Sequence, residues 1–175
     1  MLPVSKHYGW VILSATAIGL ECYFTGFIIP MGARKKVFGK EFMEKNFGDV
    51  HKAEVGNDIP LSDLAYPDMG NGKYAEKLPY KDWYELNIAM RAHYQFLEQV
   101  SMALTFTLLG GLSAPIPAAA LGFTYCAGRF LYTTGYQKGG PKGRNLGAGI
   151  ANGSLMGLSF FSVYSGLRLL RYAKF

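Results

Sequence analysis

The residues best equipped for chemistry sit in one short run, MRAHYQFLEQ over 90–99, which carries Arg91, His93, Gln95 and Glu98. At 3.6 residues per turn, Arg91, Gln95 and Glu98 are spaced i, i+4 and i+7 and share one helix face. Such a face of charged and amide side chains suits a polar ligand at the cytosolic mouth of a helix bundle. It suits equally a structural ion pair between helices, and the spacing leaves both readings open. A second run, GRFLYTTGYQKGGPKGR over 128–144, sets Arg129, Tyr132 and Tyr136 at i, i+3 and i+7, with Lys142 and Arg144 just beyond. Tyrosines at a helix end commonly anchor it at a membrane interface, yet a phenol also holds or polarises a thiol. His7, His51 and His93 show no metal-ligand spacing, so no metal is expected.

These side chains need helices to carry them, and the composition says which kind. Half of the 175 residues are hydrophobic, and they are blocked rather than dispersed. Crossing the roughly 30 Å hydrocarbon layer takes about 20 mostly apolar residues. Four windows qualify: Tyr8 to Met31, Asn87 to Gly111, Ala118 to Tyr136 and Leu146 to Leu170. The expectation is an all-α integral membrane protein, one domain of four spans at about 8–31, 87–111, 118–136 and 146–170. A charged face at depth in lipid costs on the order of 3 kcal/mol or more, so the Arg91–Glu98 face must look toward other helices or a wet cavity.

The net charge of +6 lies beside the apolar windows and not in one soluble patch, which argues against nucleic acid and for a lipid partner. ARKKVFGK and YQKGGPKGR weight the loops after the first and third spans, which places those loops in the cytosol. Residues 32–86 form a long polar stretch, expected to be an ordered extramembrane loop packed on the spans. Asp82 and Glu85 fit a capping box for the second span, and the prolines of GLSAPIPA suit the start of the third. Gly149, Gly153 and Gly157 repeat at four-residue spacing in the fourth, a pattern that lets helices approach closely. Cys22 and Cys126 fall in mid-span, where a thiol is inert. The first window is long for a secretory segment and contains Glu21, so a retained span is expected, although Glu21 itself has no evident role.

YGWVIL, ARKK, RAHYQFLE and GRFLYTTGY together resemble the MAPEG proteins, the membrane-associated proteins in eicosanoid and glutathione metabolism, most of all their microsomal glutathione S-transferase 3 branch. RAH followed by LE is the most specific element. The resemblance implies a left-handed four-helix bundle assembled as a homotrimer, with glutathione as co-substrate near the cytosolic face. It implies that Arg34 and Arg91 contact the glutathione carboxylates, that Glu98 holds the amino group, and that His93, Gln95 and Tyr132 complete the binding site. Gln95 stands where the family usually has Asn. Tyr136 and a thiol-activating arginine would be the catalytic pair, with Arg144 nearest to the required position and Lys142 as a substitute. The implied function is a glutathione-dependent transferase or peroxidase acting on lipophilic electrophiles or lipid hydroperoxides in an intracellular membrane, of the endoplasmic reticulum or mitochondrion. Gln99 stands where family members often place an aromatic or aliphatic residue, and Glu21 and a polar stretch longer than the family expects point to an alternative: a non-catalytic accessory subunit of a larger membrane complex, such as a mitochondrial respiratory assembly.

Overall fold

The computed structural model describes residues 5–172, and every regular element among them is helical. Helix α1 spans Tyr8–Val37, α2 Lys40–Glu54, α3 Tyr80–Gly111, α4 Pro115–Gly143 and α5 Asn145–Tyr172, with a 3-10 turn at Ala75–Lys77 ahead of α3. The four apolar windows fall inside α1, α3, α4 and α5. Of these, α1 and residues Asn145–Arg171 of α5 are long and apolar enough to cross a membrane. Helices α3 and α4 carry more polar side chains, among them Arg91, Gln95, Glu98, Gln99 and Arg129.

Three boundaries show the local rules at work. Helix α1 runs past Met31, so Arg34, Lys35 and Lys36 form its last turn, where cations offset the negative end of the helix dipole. Helix α4 opens on Pro115, whose fixed φ and missing N–H fit a first helical position. The expected capping box is corrected: α3 begins two residues before Asp82, with Trp83 N–H donating to the Pro79 carbonyl. Asp82 lies inside the first turn, and Glu85 pairs with Lys36 instead of reaching back. Pro79, unable to extend a preceding helix, sets the start.

The chain forms two compact units, one comprising Met1–Phe24 with Tyr94–Phe175, the other Thr25–His93. The first is centred on Ile18, Cys22, Phe96, Ala103, Tyr125 and Ala151. Helices α4 and α5 approach closely there, and of the glycine row that the sequence offered only Gly157 meets α4, at the Leu121 side chain. A Cβ added at Gly149 or Gly153 meets nothing, whereas one at Gly128 would strike the Ala151 backbone and one at Gly147 the backbone of Tyr132. The inward row of α5 is Gly147, Ala151, Ser154 and Leu158, all buried and spaced by four, three and four residues. Small residues permit contact on whichever face the partner helix takes, and two such rows were present in the sequence.

In the second unit the polar stretch is more structured than a loop, since it contains α2 and a segment over 62–75 wound about two charged groups. Arg34 is 1% exposed, and its Nη1 donates to the carbonyls of Leu64 at 2.9 Å and Ala65 at 3.4 Å. Its Nη2 donates to the Asp68 carbonyl, and its guanidinium carbon lies 4.4 Å from the centre of the Tyr66 ring. Ala65 has φ +57°, a left-handed conformation that costs a residue with a Cβ about 1–2 kcal/mol, and the Arg34 contacts hold it there. The Asp68 carboxylate accepts backbone N–H bonds from Gly70, Gly72, Tyr74 and Ala75 at 2.7, 2.9, 2.8 and 3.2 Å.

Burial alone would push the Asp68 carboxyl up, but those four N–H donors outweigh it and hold the pKa below the ordinary aspartate value. A depressed pKa contributes stability that is present above the unfolded value and is lost as pH falls through the folded one. Asp68→Ala is therefore expected to loosen residues 70–75 by about 2 kcal/mol at neutral pH, read as faster amide hydrogen exchange there. The difference from the parent should shrink as the pH is lowered below about 4. Equal exchange in variant and parent at neutral pH would show that the segment is held without the carboxylate.

Candidate functional site

The first unit contains a polar row inside an apolar surround. Arg129, on α4, is 0% exposed. Its guanidinium carbon sits 4.4 Å from the Phe96 ring centre and 4.5 Å from that of Tyr132, and its Nη1 donates to Gln95 Oε1. Two aromatic rings and an amide acceptor partly compensate a guanidinium held away from water. Glu21 of α1, in the same unit, has a carboxyl oxygen shielded from solvent. One helical turn further along α3, Gln99 Nε2 donates to Asn152 Oδ1 at 2.9 Å and Gln99 Oε1 accepts from the Tyr125 hydroxyl at 3.3 Å.

At the end of α4 this row meets a cation. Tyr132 and Tyr136 are buried, with rings 5.7 Å apart in an edge-to-face arrangement. Arg144 Nη1 donates to the Tyr132 hydroxyl at 2.9 Å, and its guanidinium carbon is 5.7 Å from the Tyr132 ring centre and 5.2 Å from that of Tyr136. The Tyr132 hydroxyl, by accepting that bond, favours the charged form, so the Arg144 pKa is raised. What delivers Arg144 is a reversal at Gly140, whose φ of +61° and ψ of −151° only glycine adopts without strain. The reversal brings Gly143 back against Gly135, where neither position has room for a Cβ.

The sequence-derived residues divide accordingly. Gln95, Tyr132, Tyr136 and Arg144 come together through Arg129 in the first unit, where Glu98 lies exposed on α3. Arg91, exposed, and His93, half-buried with its ring packed on Gly26, belong to the second unit. Arg34 is there too, its Nη nitrogens committed to the carbonyls of the 62–75 segment. Lys142 is exposed near the helix end. In the sequence Glu21 has no evident role and Gln99 departs from the family pattern. The signal for both was depth: a charged or amide side chain inside an apolar helix needs a partner on a neighbouring one.

The sequence pattern of the MAPEG family matches residues 48–164. The chain belongs to the MAPEG family. No solved structure matches it. The matched residues include α3, α4 and most of α5, and hence Arg91, His93, Gln95, Glu98, Tyr132, Tyr136 and Arg144. They exclude α1, so Arg34 and Glu21 lie outside the family pattern. MAPEG proteins are membrane-associated, include glutathione transferases, glutathione peroxidases and eicosanoid synthases, and typically use glutathione. In this member no group of three or more His, Cys, Asp and Glu side chains is arranged to hold a metal ion among the described residues. The chemistry on offer is that of a guanidinium, two phenols and the charged groups of α3. In the first unit Arg144 presents a fixed cation and Glu98 an exposed carboxylate, and in the second Arg91 exposes a guanidinium.

Proposed function

We propose that this MAPEG protein is a glutathione-dependent transferase or peroxidase that acts on lipophilic electrophiles or lipid hydroperoxides in an intracellular membrane. The observation that carries the reading is Arg144, held at 2.9 Å by the Tyr132 hydroxyl and ranged over the Tyr136 ring. A glutathione thiol is mostly protonated at neutral pH, and a nearby fixed cation shifts it toward the nucleophilic thiolate. Arginine serves because it never deprotonates. In the transferase case the thiolate sulfur bonds to the electrophilic carbon, and the leaving group or opened epoxide oxygen takes the electron pair and then a proton. Tyr136, beside Arg144, is assigned to hold the thiol.

On the family resemblance Arg91 is assigned to a glutathione carboxylate, Glu98 to its amino group, and His93, Gln95 and Tyr132 to the same ligand. Arg34 is assigned to the 62–75 segment, because its Nη donors already serve carbonyls there. The family resemblance further supports four spans in a left-handed bundle, a homotrimer, and kinship with the microsomal glutathione S-transferase 3 branch. Lipid and a lipophilic substrate are the partners this reading requires.

Equilibrium binding of glutathione to the purified protein tests it. Arg91→Ala and Glu98→Ala should each weaken binding about tenfold, the loss of roughly one charge-assisted hydrogen bond. One observation favours a second reading: the extended polar stretch is an ordered unit with its own helix and an Arg34 clamp, as suits an accessory subunit docked on a larger membrane assembly. Absence of binding at millimolar glutathione, with comigration in a very large complex on a native gel, would make that reading the correct one.

A further inference from the structure

The cradle of N–H donors around Asp68 encloses a reactive pair, Asn71 followed by Gly72. In such a pair the peptide nitrogen after the asparagine can attack the side-chain amide, because glycine puts no side chain in the way. Asn71 is exposed. The Gly72 peptide group, in contrast, is fastened on both sides: its N–H donates to Asp68 Oδ1 at 2.9 Å, and its carbonyl accepts from the Glu76 N–H at 3.1 Å. The same Oδ1 takes the Gly70 N–H at 2.7 Å, and the Gly70 carbonyl accepts from Asn87 Nδ2 at 2.8 Å. A Cβ at residue 72 would stand 2.9 Å from Asp68 Oδ2 and 3.1 Å from its Cγ, so the cradle excludes a larger residue there. The fold thus demands a glycine directly after an exposed asparagine.

We infer that Asn71 is a latent deamidation site and that the Asp68 carboxylate keeps it closed. The inference stands apart from the function proposed above and uses residues of the second unit alone. Deamidation begins when the Gly72 nitrogen, having given up its proton, bonds to Asn71 Cγ. The bond from Cγ to Nδ2 then breaks, and that nitrogen leaves as ammonia with the proton. One water opens the resulting cyclic imide, at one carbonyl to give aspartate and at the other isoaspartate. Asp68 opposes the first step in two ways. As the acceptor of the N–H it favours the protonated nitrogen, and its negative charge disfavours a second one on that atom. Its bond also aims the nitrogen at the carboxylate, whereas attack needs it turned toward the Asn71 side chain. Against the burial that would raise it, the N–H donors hold the Asp68 pKa low, so the guard is charged at neutral pH. The product carries a second carboxylate beside Asp68, and isoaspartate adds a carbon to the main chain. Both changes oppose reclosure of the cradle.

The test incubates the full chain in lipid nanodiscs under mildly alkaline conditions, beside a synthetic peptide of residues 53–73. Tryptic cleavage after Lys52 and Lys73 releases the same stretch from the protein, and tandem mass spectrometry reads the replacement of nitrogen by oxygen at Asn71. The parent is expected to deamidate about 30-fold more slowly than the peptide, because reaction waits on opening of the cradle. Asp68→Ala should bring the protein to within about threefold of the peptide rate. Asp68→Asn, which keeps the side chain's size but offers one acceptor oxygen, should fall between. Asn87→Leu frees the Gly70 carbonyl without touching the Gly72 N–H, and should change the parental rate by less than about threefold. A parent as fast as the peptide overturns the inference. So do Asp68 variants that both keep the parental rate, and so does Asn87→Leu reacting as fast as Asp68→Ala, which would make the general order of the segment the guard. Should Asp68→Ala lose its helix content by circular dichroism, the comparison of the parent with Asp68→Asn decides.

Discussion

Arg129→Met is expected to destabilise the first unit by about 3–5 kcal/mol, the usual cost of removing one member of a buried charged set. Methionine fills a similar volume between the rings of Phe96 and Tyr132, so the loss is electrostatic and not a cavity effect. What remains is a Gln95 amide oxygen without its donor. Because that fault is an unpaired polar group, the double variant Arg129→Met with Gln95→Leu should recover part of the loss. Denaturant titration of the detergent-solubilised protein, with the three variants side by side, measures it. A single variant within about 1 kcal/mol of the parent would mean that water or lipid headgroups already solvate Arg129 and that the row is not dry.

The second large effect is kinetic. Arg144→Ala should lower turnover about 100-fold while leaving the glutathione Kd within about twofold, because the guanidinium acts on the developing thiolate more than on the bound thiol. Arg144→Lys should recover little: an ammonium group cannot both bond to the Tyr132 hydroxyl and lie flat over the Tyr136 ring. The ultraviolet absorbance of the bound thiolate separates activation from later steps, and it should fall in parallel with kcat. If Arg144→Ala turned over normally, activation would have to be reassigned, and Lys142 is the nearest other cation on that side of the turn.

These effects explain why the site was only partly legible. Arg91, Gln95 and Glu98 declare themselves through helical spacing, and Tyr132 and Tyr136 through a four-residue step on the next long helix. Arg144 lies in a glycine-rich run with no period, and nothing local says that it returns to Tyr132. That return depends on the reversal at Gly140 and the close contact of Gly135 with Gly143. Arg34 shows the opposite case. Its sequence context matches a ligand-binding arginine, but its guanidinium faces carbonyls of a segment some thirty residues along the chain.

By itself the sequence determined the helical class, the four long helices and their approximate ends, the start of α4 at a proline, and the family. The helical class, the helix ends and the proline start follow from composition or from spacing within one element, and the family from the resemblance of four short motifs. The tertiary structure alone decided which small-residue row of α5 meets α4, that the polar stretch folds about Arg34 and Asp68, and that Gln95, Arg129, Tyr132 and Arg144 form one chain of contacts. The reason is that spacing fixes which residues share a face, whereas the partner that face meets is chosen by packing between segments far apart in sequence.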